Sequence, residues 1–223
     1  MAMYPISLRL GGRRCSVVGG GRVAERKVIS LLAAGARVLV ISPQLTDHLA
    51  ELAEQGRIDV LLRPYADGDL ERAELAFAAT DSEHVNLQVC REAERRGIWV
   101  NDAMSPERST FHIPAVLSRG ELQIAVSTGG AGPLLSRRIR DELALTYGEN
   151  YARYVQFIGM LRQHLGSLDM TAEERRRVYE RVIDDSKRFM ELLERISTAR
   201  ELDELVLRTL GESLHDGDWE ARP

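Results

Sequence analysis

Cysteine is nearly absent: 223 residues contain two, Cys15 and Cys90, with no C-x-x-C spacing. That excludes a disulfide framework and a thiolate zinc site, no other metal cluster is expected, and two buried, reduced thiols are what remains. Lysine is just as rare, because all 30 cationic side chains are arginine except Lys27 and Lys187. The arginine abundance admits two readings, a biased composition or a demand for bidentate carboxylate and phosphate partners. Aromatics make up 5% of the chain, no basic stripe is interleaved with them, and the formal net charge is −4, so no nucleic-acid partner is expected. No apolar run reaches membrane-spanning length, so no membrane partner is expected either. The opening MAMYPISLRL lacks the charged segment and apolar stretch of a signal peptide, which makes the cytoplasm the expected compartment. What is present is enough apolar residue, 44%, to build a core in one large domain or two modest ones.

The stretch CSVVGGGRVAERKVISLL organises the chain. A β-branched run closing with Val17 and Val18 reads as a buried parallel strand, and Gly19, Gly20, Gly21, Arg22, Val23 and Ala24 then fit G-x-G-x-x-A. Gly19 suits the tight turn, Gly21 lets the backbone approach a pyrophosphate, and Ala24 lets the new helix lie close on the strand. Val28, Leu31 and Leu32 give that helix its apolar face, and its free N-terminal amides favour an anion. Gly35 ends the helix before a second strand, Arg37–Ile41, within one unit of the length a dinucleotide fold requires. An Asp or Glu that would hold the adenosine ribose is missing where this strand ends. Ser42 and Pro43 stand there, so ribose contact falls to backbone or to Ser42, and NAD is not separated from NADP.

Strand and helix signals keep alternating. A helix carries Leu45, Leu49 and Leu52, a third strand covers 58–62, a short helical link 70–74, a fourth strand 75–79, a helix ends at Gly97, and a fifth strand covers 98–100. Such β-α repeats predict a Rossmann-like parallel sheet with ligands at the carboxyl ends of its strands. Thr80 and Asp81, after the fourth strand, are therefore expected beside the cofactor, while Asp81 or Ser82 also suits a helix cap. After Asn101 the pattern changes. Residues 109–113 and 122–126 read as strands without a long helix between them, and a second glycine-rich loop, Thr128 to Gly132, leads through Pro133 into a helix. That loop is either an anion site or a connector, and Arg137, Arg138 and Arg140 are either solvated or carboxylate-binding. From Glu149 onward the chain reads as helical, with capping-box spacing at Thr171 and Glu174 and at Thr198 and Glu201. Residues 215–223 have little to bury and are expected to be disordered.

VVGGGRVAERKV, GARVLVISP, AATDSEHVN and FHIPAVLSRGELQIAVSTGGAGPLLSRRIR occur in this order, and together they resemble the precorrin-2 dehydrogenases. These form the N-terminal module of siroheme synthases and in some members double as sirohydrochlorin ferrochelatases. The resemblance implies an NAD-binding domain at 1–113, a dimerisation segment at 114–148 and a helical C-terminal domain at 149–214, here as a stand-alone form. It also implies a homodimer that accepts a tetrapyrrole with eight carboxylates. The implied reaction oxidises precorrin-2 to sirohydrochlorin with NAD, and Ser127, Thr128, Gly129 and Arg137 are the implied substrate-side residues.

One departure from the family bears on the chemistry. Many members carry Asn-x-x-Asp-x-Pro after the fifth strand, whereas this chain reads Asn101, Asp102, Ala103, Met104, Ser105, Pro106, so Met104 occupies the acid's position. Asp102, two residues earlier, is one candidate replacement. His112 is the other, because imidazole exchanges a proton near neutral pH. The ordinary roles are a turn cap for Asp102 and a satisfied, partly buried side chain for His112. Chelation of Fe(II) is left open by the missing acid, as are two rival readings: a chelatase that uses its NAD domain only as scaffold, and a non-enzymatic NAD or tetrapyrrole sensor.

Overall fold

The computed structural model describes residues 3–215, so the expected tail at 215–223 lies, beyond His215, outside the described residues. Five strands, β1 (Arg14–Val18), β2 (Arg37–Ile41), β3 (Asp59–Leu61), β4 (Leu75–Ala78) and β5 (Trp99–Asp102), form one parallel sheet in the order β3-β2-β1-β4-β5. Helices α1 (Arg22–Ala33), α2 (Asp47–Glu54) and α3 (Glu83–Arg96) make the crossovers. Alternation along each strand sorts the core into two layers. Val17, Val38, Val40 and Phe77 pack with Ala24, Val28, Leu31 and Leu49 on one side. Val18, Ile41, Ala76 and Ala78 pack with Val89, Cys90 and Ala93 on the other. Each fully buried valine or leucine contributes about 1.5–3 kcal/mol, which is why a sheet covered on both faces tolerates so continuous an apolar run. Strand order reverses between β1 and β4, and their carboxyl ends are where a ligand crevice opens in such sheets.

Two expected elements are absent. Residues 70–74 form successive turns instead of a helical link, with backbone bonds from Glu71 to Gly68 and from Ala73 to Leu70. Glu92, fully buried on α3, sets that path by accepting from the amides of Gly68 at 3.0 Å and Leu70 at 3.3 Å, from the Tyr65 hydroxyl, and from Arg96 Nε at 2.7 Å. Residues 109–113 are not a strand either. They follow a 3-10 turn, Pro106–Arg108, and run along the outer edge of β5, where hydroxyls replace ladder bonds. Val100 N donates to Thr110 Oγ1 at 2.8 Å and Asp102 N to Ser109 Oγ at 2.9 Å, while Thr110 N donates to the Val100 carbonyl at 2.9 Å.

The chain divides between Ile113 and Pro114 into two compact units. The second unit begins with an antiparallel hairpin, β6 (Ala115–Arg119) and β7 (Leu122–Val126), covered by α4 (Pro133–Thr146). Helices α5 (Asn150–Ser167), α6 (Ala172–Asp184), α7 (Ser186–Glu194) and α8 (Ala199–His215) follow. Their core joins Phe157, Leu161 and Leu165 to Val178, Val182, Phe189, Leu193 and Val206, with the Phe157 and Phe189 rings stacked at 5.4 Å. Both capping boxes form: Thr171 N donates to Glu174 at 2.7 Å, and Thr198 N to Glu201 at 3.1 Å. Both cysteines are free and buried, and burial pushes each thiol up to about 11. Among the described residues no helix is long and apolar enough to cross a membrane.

Candidate cofactor and substrate site

The turn after β1 is shaped by close approaches that only glycine permits. Gly19 has φ +125°, and a Cβ there would lie 2.3 Å from the Ala79 carbonyl oxygen. At Gly20 a Cβ would lie 1.9 Å from the Gln44 carbonyl oxygen, and Thr46 N donates to the Gly20 carbonyl at 2.9 Å. Gly21 is different: its backbone is extended, and a Cβ would meet nothing within 4 Å. It begins α1 without a side-chain cap, whereas Thr46 caps α2 and Ser82 caps α3. Ala24, fully buried, brings α1 down on the sheet, and Arg22 and Val23 stay exposed. Uncapped amides, a positive helix end and open space above Gly21 fit a pyrophosphate.

The two loops beside this turn are tightly built. Ser42 is buried, and its hydroxyl donates to the Gln44 carbonyl at 2.7 Å, so it shapes the loop while Pro43 and Gln44 are exposed. The Ser42 hydroxyl, expected to contact a ribose, has its proton engaged within its own loop. Thr46 also donates its hydroxyl to Glu25 on α1, which holds that carboxyl below the usual range and ties the loop to that helix. After β4, Thr80 Oγ1 donates to Asn86 Oδ1 at 2.7 Å, and Asn86 Nδ2 returns to the Thr80 carbonyl at 3.1 Å. Ser82, not Asp81, is the cap, and Asp81 is exposed. Asn86 escaped the sequence reading because a polar residue inside a helix pattern looks solvated, yet it is fully buried and fixes the Thr80 loop.

Asp102, expected as a replacement acid, has a fully buried carboxylate whose lone pairs are taken. Oδ1 accepts from Met104 N at 2.9 Å and Ser105 N at 3.2 Å, and Oδ2 from Arg108 Nε at 2.8 Å. Arg108 also reaches Glu83, and the two carboxylates hold its guanidinium above the usual range. The carboxylate anchors the turn at 103–108. Met104 is exposed at the tip of the same turn. His112 is half-buried, and the contact of its ring is Nε2 to the Pro106 carbonyl at 3.4 Å.

The remaining candidates lie in the second unit. Gly129 and Gly130 have φ +62° and +89°, Thr128 Oγ1 accepts from Gly132 N at 3.0 Å and sits 3.1 Å from the buried Ser136 hydroxyl, and Ser127 Oγ accepts from Gly129 N at 3.2 Å. These bonds rigidify the loop, and α4 starts at Gly132 with no side-chain cap. Arg137 is exposed on its first turns. Among the described residues there is no group of three or more His, Cys, Asp or Glu side chains that could hold a metal ion.

A family model for NAD(P)-binding matches residues 6–115, and one for the sirohaem biosynthesis protein central region matches 119–144. Among solved structures, the precorrin-2 dehydrogenase SirC aligns with a TM-score of 0.75 and 30% identity over 94% of this chain and 100% of its own. The chain belongs to the precorrin-2 dehydrogenase family. Siroheme synthase of Chromobacterium violaceum is 41% identical over 184 residues, 82% of this chain and 39% of that protein. Siroheme synthase of Methylobacillus flagellatus is 38% identical over 218 residues, 98% of this chain and 46% of that protein. The chain therefore spans less than half the length of these curated relatives. The open phosphate turn lies inside the region that the NAD(P)-binding model matches.

Proposed function

We propose that the chain oxidises precorrin-2 to sirohydrochlorin in siroheme biosynthesis, moving a hydride to NAD and releasing a proton. The observation that carries this is the uncapped, open phosphate turn at the switch point of the sheet, in a chain of which 94% aligns with SirC. NAD would supply the hydride acceptor. Gly21, Arg22 and Val23 would present amides to its pyrophosphate, the loop at Ser42, Pro43 and Gln44 would face its adenosine, and Thr80 and Asp81 would flank it. His112, whose Nδ1 has no hydrogen-bond partner among the described residues, is the proton acceptor in this reading, and Asp102 holds the 103–108 turn. Arg137 and the loop at Ser127, Thr128 and Gly129 would meet substrate carboxylates, which suit a guanidinium fork.

Dehydrogenation is the whole of the proposed activity. Chelation has to remove two pyrrole protons, and a thioether at position 104 takes none. We further propose a homodimer, supported by the exposed Leu134, Leu135 and Leu145 of α4 and Val116 of β6, and a reducing compartment, the cytoplasm, in which the free thiols stay unpaired. The test is anaerobic turnover of enzymatically made precorrin-2. Sirohydrochlorin appearing with NAD and not without it supports the reading, and its absence under both conditions refutes it. Fe(II) added afterwards is expected to leave siroheme formation at the rate without enzyme. His112→Ala is expected to slow turnover at least a hundredfold.

A further inference from the structure

In a chain that uses arginine almost everywhere for positive charge, Lys27 lies on α1, close beyond the phosphate turn. Its ammonium lies 5.8 Å from the centre of the Phe77 ring and donates to Asn101 Oδ1 at 3.2 Å. Burial, with Arg26 nearby, holds it below the usual lysine range. Among the described residues it forms no ion pair, and Asn101 is its hydrogen-bond partner. Asn101 is buried, and its Nδ2 donates to the Phe111 carbonyl at 3.1 Å. An ammonium only donates, so it fixes which way the carboxamide points: oxygen to Lys27, nitrogen to Phe111. That carbonyl belongs to the peptide joining Phe111 to His112. The Phe111 ring packs edge-on against Phe77 at 5.5 Å, the same ring that Lys27 covers.

We propose that Lys27 is a positioning residue: through Asn101 it holds the Phe111–His112 peptide, and with it the imidazole, in register with the helix that carries the cofactor turn. The inference rests on reading His112 as the proton acceptor. It also explains why lysine stands here against the arginine bias. A compact ammonium serves the single Asn101 oxygen, whereas a planar guanidinium fork has no matching pair of acceptors.

A double-mutant cycle of Lys27→Met with His112→Ala, read by precorrin-2 turnover with NAD, decides it. Methionine keeps an unbranched stem over Phe77 and removes the ammonium. Lys27→Met alone is expected to lower kcat about tenfold, because a displaced acceptor loses alignment, while leaving the KM for NAD within about twofold. In the His112→Ala background it is expected to lower kcat no further. Full kcat in Lys27→Met overturns the proposal, and so does an equal fold-loss with and without His112. If His112→Ala turns over at the wild-type rate, the proton-acceptor reading itself has failed, an outcome distinct from the other two. Should Lys27→Met not fold, Asn101→Leu takes its place in the same cycle, since it breaks the link while leaving the ammonium.

Discussion

An added methyl group at Gly20 would stand 1.9 Å from the Gln44 carbonyl oxygen, whereas at Gly21 it would meet nothing within 4 Å. Gly20→Ala is therefore expected to lower the thermal midpoint by several degrees, about 1–3 kcal/mol of overpacking. Gly21→Ala is expected to fold as the wild type does, because Ala at an extended N-cap costs only about half a kcal/mol relative to Gly, yet to weaken NAD binding about tenfold or more by filling the space above the amides. Calorimetry beside an NAD titration separates the two. Asp102→Asn keeps the shape and loses the charge that Arg108 pairs with, so a stability loss of about 2 kcal/mol is expected in denaturant unfolding, with NAD affinity unchanged. The glycine motif and its Ala24 were legible in the sequence because each spacing has one physical purpose. The engagement of Asp102 was not, since sequence spacing says which residues share a side of an extended segment and nothing about the arginine six residues on that takes the carboxylate.

The loop after β3 is held by Asp69, which accepts from both Arg63 guanidinium nitrogens, at 2.8 and 2.6 Å, and from Ala66 N at 2.9 Å. Arg63, then the Ala66 amide, hold its carboxyl below the usual range. A depressed carboxyl stabilises the fold above its unfolded value, and that contribution is lost as pH falls through the folded one. The gap in urea midpoint between wild type and Asp69→Asn is thus expected to be flat from about pH 7 to 5 and to close below about pH 4. All five strands and the three helices of this sheet could be read from periodicity and glycine punctuation. The two elements misread, at 70–74 and 109–113, share a cause: their paths are set by side chains distant in sequence or by hydroxyls, Glu92 in one case and Ser109 and Thr110 in the other. Local pattern carries no trace of such bonds.

At the scale of the molecule, the sheet of the first unit is packed between two apolar layers, while α4 and β6 of the second leave Leu134 77%, Leu135 54%, Leu145 88% and Val116 38% exposed. If a second copy covers them, Leu134→Arg is expected to turn a dimer into a monomer in sedimentation velocity at micromolar concentration, with the secondary structure seen by circular dichroism unchanged. That the chain itself leaves these side chains uncovered is not legible in the sequence, because periodicity reports a face and not its partner. The β5 border of the sheet is closed. Its outward amides at Val100 and Asp102 are both occupied by hydroxyls of Ser109 and Thr110, so an incoming strand finds no donors to pair with and the sheet has no template for aggregation on that side. The excursion at 103–108 is pinned at both ends by the same bonds and by Asp102, which frees its tip to vary. A thioether at position 104 in place of a carboxylate costs the fold nothing there, and this border can therefore accept changes of chemistry over evolutionary time while the sheet behind it stays closed.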